Sequence, residues 1–116
     1  MPFTDSEIVE HTRLIEEQFW SRRRPPLPLR ERIREGQRID GQTIELFFVR
    51  PAFKSPGQFV EESIAKIQYI RSRNVWKIYW QRADLKWHAY QPNSEVASLA
   101  EALLVIDSDT NACFFG

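Results

Sequence analysis

Asp84, Lys86 and His88 occupy alternate positions in Arg82-Ala83-Asp84-Leu85-Lys86-Trp87-His88. Alternate residues of a strand share a face. If a strand reaches Asp84, a carboxylate, an amine and an imidazole therefore lie in a line able to hold a metal or bind phosphate. An acid two residues before a lysine is also one part of a metal-dependent nuclease site, where the carboxylate holds magnesium and the lysine orients water. That chemistry needs a further acid alongside, and Asp40 and Glu45 are the strand-borne candidates. A turn aspartate followed by two surface cations explains the same spacing without catalysis. Cys113 is the single thiol. It becomes a nucleophile, with His88 as its base, only if the C-terminal tail folds back over the sheet and the thiolate is stabilised. The plainer reading makes it a small buried hydrophobe between Ala112 and Phe114. His11 reads as packed or surface-exposed. A thiol or metal-dependent enzyme is therefore an alternative, and no catalytic residue is assigned.

A second constellation is broader. On the registers set by the hairpin turns, Lys66, Gln68, Ile70, Lys77, Tyr79, Gln81, Lys86, His88 and Tyr90 point outward. Cations interleaved with rings on an open sheet suit single-stranded nucleic acid, because bases stack on rings while ammonium groups neutralise phosphate. Arg22, Arg23 and Arg24, with Arg30, Arg32 and Arg34, extend that basic surface. An ordinary solvated sheet face uses the same residue types for β-propensity and solubility. A protein-interaction or homodimer module, using a sheet edge or the Phe114-Phe115 tail, is the other alternative. Arg22-Arg23-Arg24-Pro25-Pro26-Leu27-Pro28 can serve as a ligand for a proline-recognising domain, although a helix stop and stiff connector explains it without a partner.

The elements that position these residues are read from pattern. Thr4-Asp5-Ser6-Glu7 is a capping box, and Ile8, Thr12, Ile15 and Phe19 recur at helical spacing, so a helix is predicted over 5–22. Pro25-Pro26 stops it. Asp40-Gly41 signals a hairpin, pairing Ile39 with Gln42 and placing Ile33, Ile39, Ile44, Leu46 and Phe48 on one face. A two-residue turn at Arg73-Asn74 and a four-residue connection over 82–85 set two further registers. Together they send Ile67, Tyr69, Trp76, Ile78, Trp80 and Trp87 inward, unless a bulge moves the last strand by one. After Pro92, Asn93 or Ser94 can cap a helix carrying Val96, Leu99, Ala100, Leu103 and Ile106. The tail Cys113-Phe114-Phe115-Gly116 is expected to dock on the fold. The fold class is α+β: an antiparallel meander of about five strands flanked by an N-terminal and a C-terminal helix.

Length and charge bound the rest. At 116 residues with 42% hydrophobic and 28% charged content, the chain is one globular domain. Its apolar runs are far shorter than the roughly 20 residues that cross a bilayer. The N-terminus lacks a secretory layout, so a cytoplasmic protein is expected. One cysteine excludes an intrachain disulfide, and two histidines with one cysteine argue against a structural zinc site, so no cofactor is expected. Net charge is zero, but residues 21–38 carry seven arginines against two glutamates, a net of +5. Residues 50–90 carry eight cations against three acids, again +5. Residues 1–20 and 91–116 are each −4. Such blocks can create opposed surface potentials or neutralise one another in the fold.

The segment from Trp76 to Tyr90, with its Trp80-Gln81-Arg82-Ala83-Asp84-Leu85-Lys86-Trp87-His88-Ala89-Tyr90 core, resembles a family of short bacterial proteins known only as a domain of unknown function. The Met1-Pro2-Phe3-Thr4-Asp5 start, the Arg22-Arg23-Arg24-Pro25-Pro26 connector and the Cys113-Phe114-Phe115-Gly116 close carry the same likeness. The resemblance implies a stand-alone bacterial domain and assigns no activity, cofactor or site. The expected partner is single-stranded nucleic acid or another protein, with the chain a monomer or homodimer.

Overall fold

A computed structural model describes residues 2–29 and 32–115. Met1, Arg30, Glu31 and Gly116 lie outside the described residues, and with them the share of Arg30 in the expected basic surface. Thr4 Oγ1 accepts the Glu7 N–H at 3.1 Å, and Glu7 Oε1 accepts the Thr4 N–H at 2.9 Å. This reciprocal cap starts helix α1 (Asp5–Ile15), which runs through a π-helical turn (Glu16–Trp20) into α2 (Ser21–Arg23). The extra residue of the π turn rotates the end of the helix about its axis, and adjacent Phe19 and Trp20 are both buried. Arg24, preceding Pro25, is already extended. Beyond Pro25-Pro26 the connector closes into a 3-10 turn at Leu27–Leu29. Thr12 is not part of the inner stripe: it is exposed and bonds the Ile8 carbonyl at 2.7 Å. His11 takes the inward place, edge-on to Phe3 and Trp76.

The sheet is an antiparallel meander of β1 (Arg34–Asp40), β2 (Thr43–Pro51), β3 (Phe59–Ile70), β4 (Val75–Gln81) and β5 (Trp87–Ala89). A two-residue strand, β6 (Glu95–Val96), shares the outer edge of β4 with β5: β5 pairs with Tyr79–Gln81 and β6 with Trp76–Lys77. In β3, Leu46 faces Ala65 but Phe47 faces Ser63, so Ile64 is the extra residue of a bulge. Ile64 and Ala65 are both buried as a result.

Three turns differ from the registers expected from the sequence. The first hairpin turns on Gly41-Gln42, not Asp40-Gly41, and pairs Ile39 with Ile44. Gly41 has φ +61°, the conformation that a two-residue turn with glycine at its first central position needs. The β3–β4 connection holds four residues and pairs Tyr69 with Trp76. Asn74 sits in the left-handed region and its Oδ1 accepts from the Tyr69 hydroxyl at 2.8 Å. Both changes shift the pairing by two, so every side chain keeps its face. The β4–β5 change does not. Trp80 pairs with His88 and Gln81 with Trp87. Trp87 therefore leaves the inner face expected for it, and His88 and Tyr90 enter.

The core lies on one side of the sheet. Ile15, Phe19 and Trp20 from the N-terminal helical run meet Ile44, Leu46, Ile67, Trp76 and Ile78 from the strands. Helix α3 (Leu99–Ser108) adds Leu99, Ala102, Leu103 and Ile106. It starts later than expected, because Ser98 Oγ accepts the Glu101 N–H at 3.1 Å. Val96 is spent on β6 opposite Trp76. Apart from Pro25 in the connector, Phe47 is the only buried apolar side chain outside this cluster among the described residues. It lies on the opposite face, above Gly36, with the Arg38 guanidinium 5.0 Å from its ring centre. The tail docks: Phe114 packs on Tyr90, and Phe115 stacks on Phe19 beneath Arg23.

Candidate functional site

The face away from the helices is built by alternation along β3, β4 and β5. Lys66 pairs with Tyr79, Gln68 with Lys77, Tyr79 with Ala89 and Gln81 with Trp87. Tyr79 and Trp87 are thus diagonal neighbours, about 7–8 Å apart at Cα for such pairs. Lys66 Nζ lies 5.9 Å from the Trp87 ring centre. The Tyr79 hydroxyl donates to Gln68 Oε1 at 3.0 Å, which fixes the ring over the strand. Among the described residues neither Lys66 nor Lys77 has a carboxylate within 4.0 Å. The acids nearest in register, Glu45 and Glu95, are held by Arg38 and Arg73, each at 3.0 Å. Two rings, two ammonium groups and two amides share one uncovered surface. Its chemistry is stacking plus neutralisation of negative charge.

Other expected members of that surface lie elsewhere. His88 and Tyr90 face the helices, and Tyr90 is buried. Lys86 is exposed where the β4–β5 turn rejoins β5. The three arginines after α1 are spent inside the molecule. Arg22 and Arg23 bond Asp107 at 3.2 and 2.8 Å, and Arg24 bridges Glu16 and Glu35. Arg32 and Arg34 border a shallow hollow with Val49 and Phe59, remote in register from Trp87. The strongest positive run of the sequence therefore ties the helical segment to α3 and β1.

The alternating acid, amine and imidazole are partly brought together. The strand does not reach Asp84; the turn supplies the contact. Asp84 accepts the Lys86 N–H at 2.9 Å and meets His88 Nε2 at 2.9 Å. The Lys86 backbone N–H and, after it, His88 keep the Asp84 carboxyl ionised to lower pH than usual. Glu45, the partner acid a nuclease site would need, is bonded to Arg38 on the other face, and Asp40 closes the first hairpin. Among the described residues no three of His, Cys, Asp and Glu form a metal-holding group. Cys113 does reach the rim of a hollow that also includes His88. Burial, with Asp109 nearby, pushes its thiol pKa up, which works against a thiolate nucleophile.

Trp87 is the functional candidate that the sequence pattern put on the wrong side. Asp84, a residue whose side chain readily caps a turn, was the one sequence signal for its true side; Leu85 is of a type that seldom takes the left-handed conformation it holds there. An aspartate whose side chain caps the amide two residues on, with the next residue at φ +62°, makes a three-residue loop. An odd loop inverts the next strand's faces relative to an even one.

No curated protein and no solved structure matches the chain. A family model described as a domain of unknown function, DUF3024, matches residues 3–116. The α+β meander with its uncovered basic-aromatic face is therefore the structure of a protein that belongs to this family.

Proposed function

We propose that the protein is a binding module for a short stretch of single-stranded nucleic acid. The strand would lie across β3, β4 and β5, with bases on Tyr79 and Trp87 and phosphates at Lys66 and Lys77. One observation carries the reading: the β4–β5 register puts Trp87 beside Tyr79 and Lys66 on the face that the helices leave open. Tryptophan offers a larger stacking surface than either of the residues it replaces, His88 and Tyr90. The reading sets the protein in a bacterial cytoplasm, and a single unpaired cysteine is in keeping with a reducing compartment.

Fluorescence anisotropy of a labelled single-stranded oligonucleotide tests the proposal. Binding should appear at low salt and weaken with a log–log slope of about −1.4, at about 0.7 per neutralised phosphate. Lys66→Gln and Lys77→Gln should each reduce the slope by about 0.7. An unchanged anisotropy at low salt rejects the reading. A homodimer reading is favoured by a different observation. Phe53 and Phe59 at the far end of the β2–β3 hairpin are 84% and 62% exposed. Light scattering that shows a concentration-dependent mass would support that reading.

A further inference from the structure

The helix-side end of the β4–β5 hairpin forms a second feature, separate from the open face. The C-terminal tail folds back against it, and Cys113 forms one side of an open hollow of about 260 Å³ shared with Trp80, Arg82, His88, Tyr90 and Gln91. Its tail-side wall is fixed. Asp109, in a left-handed cap after α3, accepts the backbone N–H groups of Phe114 and Phe115 at 2.9 and 3.0 Å. Asn111 donates to the Tyr90 hydroxyl at 3.2 Å.

The charges beside the hollow are those of Arg82 and Asp84, near enough to each other that, with the Lys86 N–H and His88, the guanidinium helps keep the Asp84 carboxyl ionised. Asp84 is the acid of the turn, and its carboxylate is engaged by His88 and the Lys86 N–H. Arg82 has no carboxylate within 4.0 Å among the described residues; its guanidinium lies 5.5 Å from the Trp80 ring centre. Most of the other described arginines are held by an acid, among them Arg22, Arg23, Arg24, Arg38, Arg50, Arg71 and Arg73. A guanidinium fork that bonds no carboxylate directly, beside an aromatic wall, matches a planar anion in shape as well as charge.

We infer that this hollow binds a small carboxylate with a flat apolar body, its carboxylate on Arg82 and its body against Trp80. Pro92 and Ala89 also line the hollow, so much of the wall is apolar. A free phosphate, which favours several converging donors, would find one fork and few others. The volume lies below the roughly 300–1,000 Å³ of sites for drug-sized ligands, which sets the ligand's size. Cys113, kept as a thiol, adds no second negative charge to oppose a carboxylate.

Benzoate is the test probe, titrated into the full chain and followed by amide chemical shifts in two-dimensional NMR. Saturable shifts at millimolar benzoate, centred on Arg82, His88, Gln91 and Cys113, are expected. Benzamide, with the same body and no charge, should leave them unmoved. Arg82→Gln should weaken benzoate by up to about fivefold, the loss of a solvent-exposed ion pair. Arg82→Lys, which keeps the charge but not the fork, should fall between. Arg82 is exposed, so both variants should keep the native amide spectrum. Three results would overturn the inference: no saturable shift, equal binding of benzamide or inorganic phosphate, or unchanged affinity in Arg82→Gln.

Discussion

Gly36 is where one residue decides whether the open face can exist as it does. It sits opposite Phe47 in the β1–β2 ladder, and the Phe47 ring lies across it closely enough that a Cβ would collide with the ring edge. With Arg38 over the same ring, this absorbs the one large apolar side chain that β2 sends away from the core. The rest of the face stays mixed and polar. Gly36→Ala should therefore drive the ring off its seat and cost about 1–3 kcal/mol, the range for overpacking a close contact. Urea denaturation read by circular dichroism measures it; an unchanged midpoint would mean the ring has another resting place. A single glycine in a strand marks such a close approach, but which ring approaches depends on the register, and the sequence alone gives no reason to seat Phe47 there.

The elements were largely legible because burial imposes a period. The capping box at Thr4, the stripe of Ile15 and Phe19, and the alternation of Ile67, Trp76, Ile78 and Trp80 each point to one solution. Errors of two in the first two hairpins were harmless to the faces. The error of one at β4–β5 was not, because the Ala83–Leu85 loop is odd. The π turn that buries Trp20 beside Phe19 has no periodic signature, since it is a departure from the period. Likewise the C-terminal helix begins at Ser98 because β4 has an open edge that β6 occupies, a tertiary cause outside the segment. The odd loop makes its own prediction. Leu85 is 76% exposed and holds φ +62°, so it contributes little packing and carries left-handed strain. Leu85→Gly should stabilise the protein by about 1 kcal/mol, seen as a raised thermal midpoint, and should leave the Trp87 face unchanged. A lower midpoint would show that Leu85 packs on something.

At the scale of the whole molecule, charge ties the ends of the chain to the sheet. Glu7 in the first turn of α1 is bonded by Arg71 of the β3–β4 connection at 2.9 Å. That hydrogen bond, with the Thr4 N–H behind it, holds the Glu7 carboxyl at about 2 against an ordinary 4.5. A carboxyl with a lowered folded-state pKa contributes stability that is complete above 4.5 and is lost as pH falls from there towards 2. Glu7→Gln should accordingly show a smaller drop in urea midpoint between about pH 5 and about pH 3 than the unaltered protein. An equal drop would place the acid lability elsewhere. His11 acts in the same sense nearer neutrality. Burial between Phe3 and Trp76 lowers its pKa below 6.5, so its contribution is whole above that value and declines as the medium becomes acidic. The same pairing habit spends Arg22, Arg23 and Arg24 on Asp107, Glu16 and Glu35. Lys66 and Lys77 are left as cations beside the rings of the other face.

Tryptophan emission reports on that arrangement directly. Of the four tryptophans, Trp20 and Trp76 are buried and Trp80 lies on the helix side, which leaves Trp87 as the one beside Tyr79 and Lys66. Titrating an unlabelled single-stranded oligonucleotide at low salt should quench the emission saturably in the unaltered protein. In Trp87→Phe most of that quenching should vanish, with binding weakened by about 1–3 kcal/mol or less, since phenylalanine keeps part of the stack. Quenching of the same depth in Trp87→Phe, or none in either protein, would contradict a nucleic-acid site on the open face.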